Sequence, residues 1–565
     1  MRKTFDAAFA ALLITIGALA APVHVAPAGA TVVPASQKLF MVSDSVGLGV
    51  KSVLPGYFPG WQLTITGKPG IFTEQLESGY VAPLPPSSFG DNAVVAAGYN
   101  YPYWDPARFD RAVDHMVNTL LAKGVKHIYW VTFREVKPQY FSGWSKLTTA
   151  YRTLYLAYPK ANGQLRAALG RHPELTLIDW AAVSDQTGLT YDAIHLNPTG
   201  AARYSNLVSA TVRNSLTRKP AGTVSEITAA GANGVPADAA AVSLNLTVVY
   251  PRTAGFLTVY PCGGDVPNVS NLNFRPSETV ASAAVVPIGV DGKICVYQSA
   301  DAHVLVDLNG AFGATSGFLP IAPQRADDTR KTGGPPPGLT VHRVHLAPLI
   351  GAPTGAFEAL VNLTTLAGAG PVDVWLYTCG DFVPPQPTRT VEAGVIRNLV
   401  QLVPTDAAGD VCVITTGGAN ILVDLFGAFP TTADIHSILP QRVVDTLAVG
   451  VALVGGTSMQ IHLPGLASLP ADTTPAGVII TLTAVLPQGI GFGSVTQCDH
   501  GPLSTSTINV VPNHTATNSA ISAPDGAGDV CVWVSVTSHV QVDLSGWFGT
   551  SLLPLPLARL LDTRY

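Results

Sequence analysis

Two hydropathy regimes divide the chain near Pro220. Before it, short apolar runs alternate with stretches of helical period. Lys38–Val42, Leu63–Thr66, Ala93–Ala97, His127–Phe133 and Leu175–Trp180 read as strands. Phe109, Val113, Met116, Val117 and Leu120 recur at helical spacing and predict a helix over Pro106–Lys123. Lys146–Leu169 carries a similar pattern. Pro198–Ser215 predicts a closing helix, with Asn197 as its N-cap and Pro198 at the first helical position. Alternating strand and helix predicts a parallel sheet covered on both faces. Such folds place their sites at the C-terminal ends of strands.

After Pro220 the helical period disappears. Short alternating runs follow, split by Gly, Pro, Asn and Asp, and they repeat. Val242–Thr247 recurs as Leu360–Thr364 and again as Ile480–Thr483. The motif Val306-Asp307-Leu308 recurs as Val423-Asp424-Leu425 and Val542-Asp543-Leu544, each followed by Gly two residues on. Matching positions are offset by 117 and then 119 residues. Each repeat is trailed by a segment running from Pro through Arg to Asp-Thr: Pro323–Arg330, Pro440–Thr446 and Pro556–Arg564. In all three the Arg (Arg325, Arg442, Arg559) stands three residues before the Asp. Repeats of this size predict β-sandwich-like modules. The expected boundaries are 221–317, 318–431 and 437–549, with a tail over 550–565 that caps or docks between modules.

Composition sharpens this picture. Only 12% of the 565 residues are charged, and 54 Gly and 45 Pro supply turns, which favours β-rich extracellular modules. The net charge of -5 and the lack of a basic stripe argue against nucleic acid. Arg2 and Lys3 precede an apolar run, Ala7–Ala20, and Ala28-Gly29-Ala30 offers a small-x-small cleavage site. This predicts a signal peptide over 1–30 and a secreted, cell-wall-associated protein. A retained anchor is the competing reading, but the run is short for a span. The six cysteines form three pairs, each 33 positions apart: Cys262 and Cys295, Cys379 and Cys412, Cys498 and Cys531. Even count, spacing and export signal argue for one disulfide per repeat. Metal binding would need clustered ligands, and the spacing offers none. No metal or cofactor is expected.

The candidate chemistry lies in the first regime. Ser45 exits the first strand within Ser43-Asp44-Ser45-Val46-Gly47, where a helix N-terminus presents free N–H groups to a developing oxyanion. His195 lies in Asp192-Ala193-Ile194-His195, just before the last helix. A serine hydroxyl needs a base to take its proton, and a carboxylate can hold that base in the productive tautomer. Asn100, after the third strand, can donate its side-chain amide to an oxyanion. Gly98 lets the backbone approach closely, and Gly67, or its rival Gly70, can supply a backbone donor. Arg134 and Glu135 at the same edge read more simply as a surface ion pair.

These four blocks, in this order, resemble the SGNH (GDSL-like) hydrolase family, with Ser45, Gly67, Asn100 and His195 as its four name-giving residues. The resemblance covers about residues 37–217. It looks closest to soluble SGNH domains attached to bacterial membrane O-acyltransferases, through strings such as Tyr129-Trp130-Val131-Thr132 and Leu177-Ile178-Asp179-Trp180. It implies a flavodoxin-like α/β/α domain with a five-stranded parallel sheet. It also implies an acyl-enzyme on Ser45, and an oxyanion hole from the Ser45 and Gly67 amides and the Asn100 side chain. Two positions depart from the pattern: Ser43 replaces the usual Gly, and Tyr101 the usual Asp. The repeats resemble tandem modules of secreted actinobacterial proteins.

The expectation is a flavodoxin-like α/β/α domain of the SGNH type, not a classical α/β-hydrolase, followed by three all-β sandwich-like repeats. The substrate is an acyl ester on a cell-wall polysaccharide or lipid. Acyl transfer onto a surface glycan, or a scaffold with a silent hydrolase-like domain, are the alternatives. Asp307, Asp424 and Asp543 read as structural hydrogen-bonders near turns.

Overall fold

The computed structural model describes residues 37–138, 141–184, 187–349, 351–500, 505–512 and 514–564. The expected signal peptide lies outside the described residues. No helix among these residues is long and apolar enough to cross a membrane.

Residues 38 to 216 form a three-layer α/β/α domain. Its strands are β1 (Lys38–Ser43), β2 (Gln62–Gly67), β3 (Asn92–Ala96), β4 (His127–Val131) and β5 (Leu175–Ile178). Its helices are α1 (Ser45–Leu48), α2 (Thr73–Leu76), α3 (Pro106–Ala122), α4 (Thr149–Leu156), α5 (Tyr158–Ala168), α6 (Trp180–Val183) and α7 (Pro198–Leu216). The sheet is parallel throughout, in the order β2-β1-β3-β4-β5. Strands β1 and β3 are almost wholly buried, as strands covered on both faces must be. The strand order reverses direction at β1, which opens a crevice beside its C-terminal end.

Local signals set the helix ends. Asn197 caps α7 by accepting the Gly200 amide at 2.9 Å, and Pro198 occupies its first turn. The single helix expected over Lys146–Leu169 is two, α4 and α5, which meet at Ala157. Pro159 explains the break, because it lacks an N–H and fits only a first turn. The fourth and fifth strands end earlier than expected, and Trp180 instead begins α6.

Among the described residues the remainder forms six four-stranded antiparallel sheets, two per repeat, in a closed propeller-like layout. Each repeat pairs an outer and an inner sheet around a shared apolar core. The inner sheets meet at an aromatic cluster where Phe312, Phe429 and Phe548, equivalent residues of the three repeats, pack at centroid distances of 5.6, 5.7 and 6.3 Å. The disulfides are Cys262–Cys295, Cys379–Cys412 and Cys498–Cys531, and each ties neighbouring strands of an outer sheet.

The repeats are therefore not three separate sandwiches. Each Pro-to-Asp-Thr segment is a strand of the inner sheet that follows it in the ring. Leu319–Asp328 pairs with Ala419–Pro430, and Ile435–Asp445 with His539–Phe548. The expected tail is the strand Leu553–Asp562, which returns to pair with His303–Phe312 of the first repeat. One device recurs at all three joints. Arg559 donates from Nε to Asp307 at 2.8 Å, Arg442 to Asp543 at 2.5 Å, and Arg325 to Asp424. Each Arg also bridges to the Asp three residues on: Asp562, Asp445 and Asp328. The recurring Asp residues are thus structural hydrogen-bonders, as expected, and their partners are on the returning strands.

The α/β domain docks on the first repeat. Arg252 donates to the Pro173 carbonyl at 2.9 Å, and His303 contacts the Asn214 carbonyl.

Removing one partner of a buried ion pair strands the other charge, at a cost of about 3–5 kcal/mol. Arg559→Ala should therefore lower the thermal midpoint of the β region by several degrees, read by calorimetry. A midpoint unchanged within error contradicts ring closure through this pair.

Candidate active site

The crevice beside β1 collects the ends of three strands. Ser43 at the end of β1 is in register with Gly67 on β2 and Ala96 on β3. Ser45 follows β1 as the first residue of α1, and Asn100 follows β3 by four residues. His195 arrives from the loop between α6 and α7. Its Nε2 lies 2.9 Å from Ser45 Oγ, across 150 residues of sequence. Its Nδ1 lies 2.8 Å from Asp192 Oδ2. The other carboxylate oxygen of Asp192 accepts the amides of Ile194 and His195 at 2.8 and 2.7 Å. Asp192 is thereby fixed to the loop that carries the imidazole.

The electrostatics follow from these contacts. Partial burial alone would raise Asp192, but its hydrogen bonds from the His195 ring and the two amides outweigh that and pull it to about 2. The bond to Asp192 in turn holds the His195 ring above its ordinary value, against the burial that would lower it. The ring and the carboxylate remain 42% and 46% exposed, so the site is open to solvent on that side.

Two glycines permit the close approaches. Gly67 has φ +145°, and a Cβ there would collide with the Ser43 carbonyl. Gly98 has φ +127°, and a Cβ would strike the Phe133 ring. The rival Gly70 sits in a turn with open space around it. The Asn100 amide donates one hydrogen to the Ile71 carbonyl at 3.0 Å, which orients it and leaves the second hydrogen to give.

Both departures from the resemblance have structural explanations. Ser43 is fully buried, and its hydroxyl donates to the Ala96 carbonyl at 2.9 Å. Tyr101 is buried edge-on against Phe109, and its hydroxyl donates to Gln164 at 2.5 Å. Arg134 reaches Thr190 of the His-bearing loop, while Glu135 accepts from Asn162 at 3.0 Å. Arg134 therefore braces that loop.

Sequence reasoning missed Asp44. Its buried carboxylate accepts the amides of Val46 at 3.1 Å, Gly98 at 3.0 Å and Tyr99 at 2.9 Å. It thus ties the turn bearing Ser45 to the loop bearing Asn100. Burial raises it to about 6, although the three amides oppose the shift. Its partners are main-chain groups, so residue identity gives no signal for them. Tyr191 and Trp104, 75% and 60% exposed, stand on the His195 and Asn100 loops.

Neither a family model nor a curated protein matches the chain. Solved structures similar to part of it do exist. One is the C-terminal catalytic domain of peptidoglycan O-acetyltransferase A from Streptococcus pneumoniae. It is 20% identical, covers 31% of this chain and 90% of that one, and has a TM-score of 0.24. A GDSL-like lipase from Bacteroides thetaiotaomicron is 12% identical over 31% of this chain and 88% of its own, with a TM-score of 0.25. A lipase/acylhydrolase from Enterococcus faecalis is 16% identical over 31% and 95%, with a TM-score of 0.23.

A site that works through neutral His195 gains activity as pH rises past the pKa of that ring. With the ring held above its ordinary value, kcat/KM should rise through a limb centred above about 6.5. Asp192→Asn should move the limb down and lower kcat about 10²-fold or more. A limb at or below the ordinary value, unmoved by the substitution, contradicts the assigned pairing.

Proposed function

We propose that the α/β domain is a serine esterase of an exported protein, acting through an acyl-enzyme on Ser45. The observation that carries this reading is the continuous chain of hydrogen bonds from Ser45 through His195 to Asp192. In the first step, His195 Nε2 takes the Ser45 proton as Oγ bonds to the ester carbonyl carbon. The amides of Ser45 and Gly67 and the free Asn100 hydrogen receive the developing oxyanion. As the tetrahedral species collapses, His195 hands its proton to the departing alcohol. Water, deprotonated by the same imidazole, then bonds to the acyl carbon, and the bond to Oγ breaks as His195 returns the proton to Ser45 and the acid leaves. Asp192 stays ionised throughout and stabilises the imidazolium.

The substrate in this reading is an acyl or acetyl ester on a cell-surface glycan or lipid. A sugar hydroxyl taking the place of water would turn hydrolysis into acyl transfer, and the open flank beside His195 leaves room for such an acceptor. The three disulfides support the extracellular setting. Among the described residues no group of His, Cys, Asp and Glu could hold a metal, and the mechanism requires none.

The purified protein should hydrolyse p-nitrophenyl acetate. Ser45→Ala should reduce kcat by at least about 10³-fold while leaving the circular dichroism spectrum unchanged. Equal turnover by the variant excludes Ser45 as nucleophile.

A further inference from the structure

A cleft of about 70 Å³ opens where the third repeat meets the first. That volume is several times what one ordered water occupies. Asn309 of the first repeat lines one wall, Gln497 and Thr505 of the third line the other, and Val495, Leu555 and Pro556 supply apolar surface. The ring's three-fold repetition provides internal controls. Asn309, Phe426 and Ser545 occupy one position of the recurring Asp-Leu-x-Gly motif, and Val269 matches Thr505 by the same offsets. Where the first repeat meets the second, Phe426 and Val269 stand at these positions, and both are buried in the central apolar cluster. Where the second meets the third, Ser545 lines a gap of only about 10 Å³, enough for one water. One joint thus carries buried apolar side chains at these positions, one is nearly closed, and one is open and polar.

The chemistry of the open joint is neutral. Asp307 at its base is held by both Nε and Nη2 of Arg559, so its charge is matched. Asn245 is occupied by the Ser506 carbonyl and by Asn518. Gln497 donates its amide to the Pro524 carbonyl at 2.9 Å, which leaves its own carbonyl oxygen as an acceptor. The side chains of Asn309 and Thr505 have no hydrogen-bond partner among the described residues. The free groups are thus an amide, a hydroxyl and a carbonyl oxygen, facing an apolar floor. A sugar ring offers the complement: hydroxyls on its edge and C–H groups on its faces. We propose that this cleft binds a neutral saccharide unit and so anchors the protein to a glycan. This inference does not depend on the esterase reading.

The test uses the full chain, and none of its probes carries an ester that the proposed esterase could cleave. Saturation-transfer NMR would measure binding of N-acetylglucosamine, galactose and arabinose at millimolar concentration. At least one should bind. Asn309→Phe, which places the bulkier residue of the second repeat here, should weaken that binding about tenfold or more, and Thr505→Val about threefold. If Asn309→Phe fails to fold, the nearly isosteric Thr505→Val carries the test. Absence of binding by all three sugars, or binding unchanged in the folded variants, overturns the proposal.

Discussion

The hydrogen bond between Ser45 and His195 imposes the main constraint on the α/β domain. Its partners lie at opposite ends of that domain, 150 residues apart, and must meet at 2.9 Å. The parallel sheet makes this possible. It delivers the ends of β1, β2 and β3 to one edge, and the loop before α7 brings the imidazole back to the same edge. Asp44 then locks two of those ends together through three main-chain amides. A buried carboxylate raised to about 6 is costly to keep ionised, and its three donors are what offset that cost. The energy is spent on holding Ser45 and Asn100 in one geometry.

The β region meets a different constraint, that of its edges. An open array of sheets would leave unpaired strands at both ends. Here the last strand pairs with the first repeat, and no inner sheet lacks its fourth strand. Placing the Arg on the returning strand and the Asp on its host makes each joint depend on correct registration. A slipped strand would bury an Asp without its guanidinium.

Much of this was legible in the sequence, for physical reasons. Buried parallel strands are continuously apolar, so β1 and β3–β5 stood out, and Asn197-Pro198 marked the start of α7. The meeting of Ser45, Asp192 and His195 was legible because a strand-end serine and a loop Asp-x-x-His are residue types that hydrogen-bond to one another when a parallel sheet brings them to one edge. The break at Pro159 was visible in principle but hidden by the helical period on both sides. Asp44 was not legible, because its role depends on amides that any residue could supply. The pairing of Arg559 with Asp307 was not legible either. Those residues are 252 positions apart, and only the closed ring brings them together. The Asp-Thr segments looked like caps because each follows a repeat, whereas each belongs to the next sheet around.

The Ser45–His195–Asp192 chain lies on an open edge of the first domain, with a larger body fixed beside it through Arg252 and His303. The most direct test of the central claim is active-site labelling with a fluorophosphonate, followed by peptide mapping. A single adduct should form on Ser45 and be lost in His195→Ala. No adduct, or an adduct on another serine, would contradict that claim.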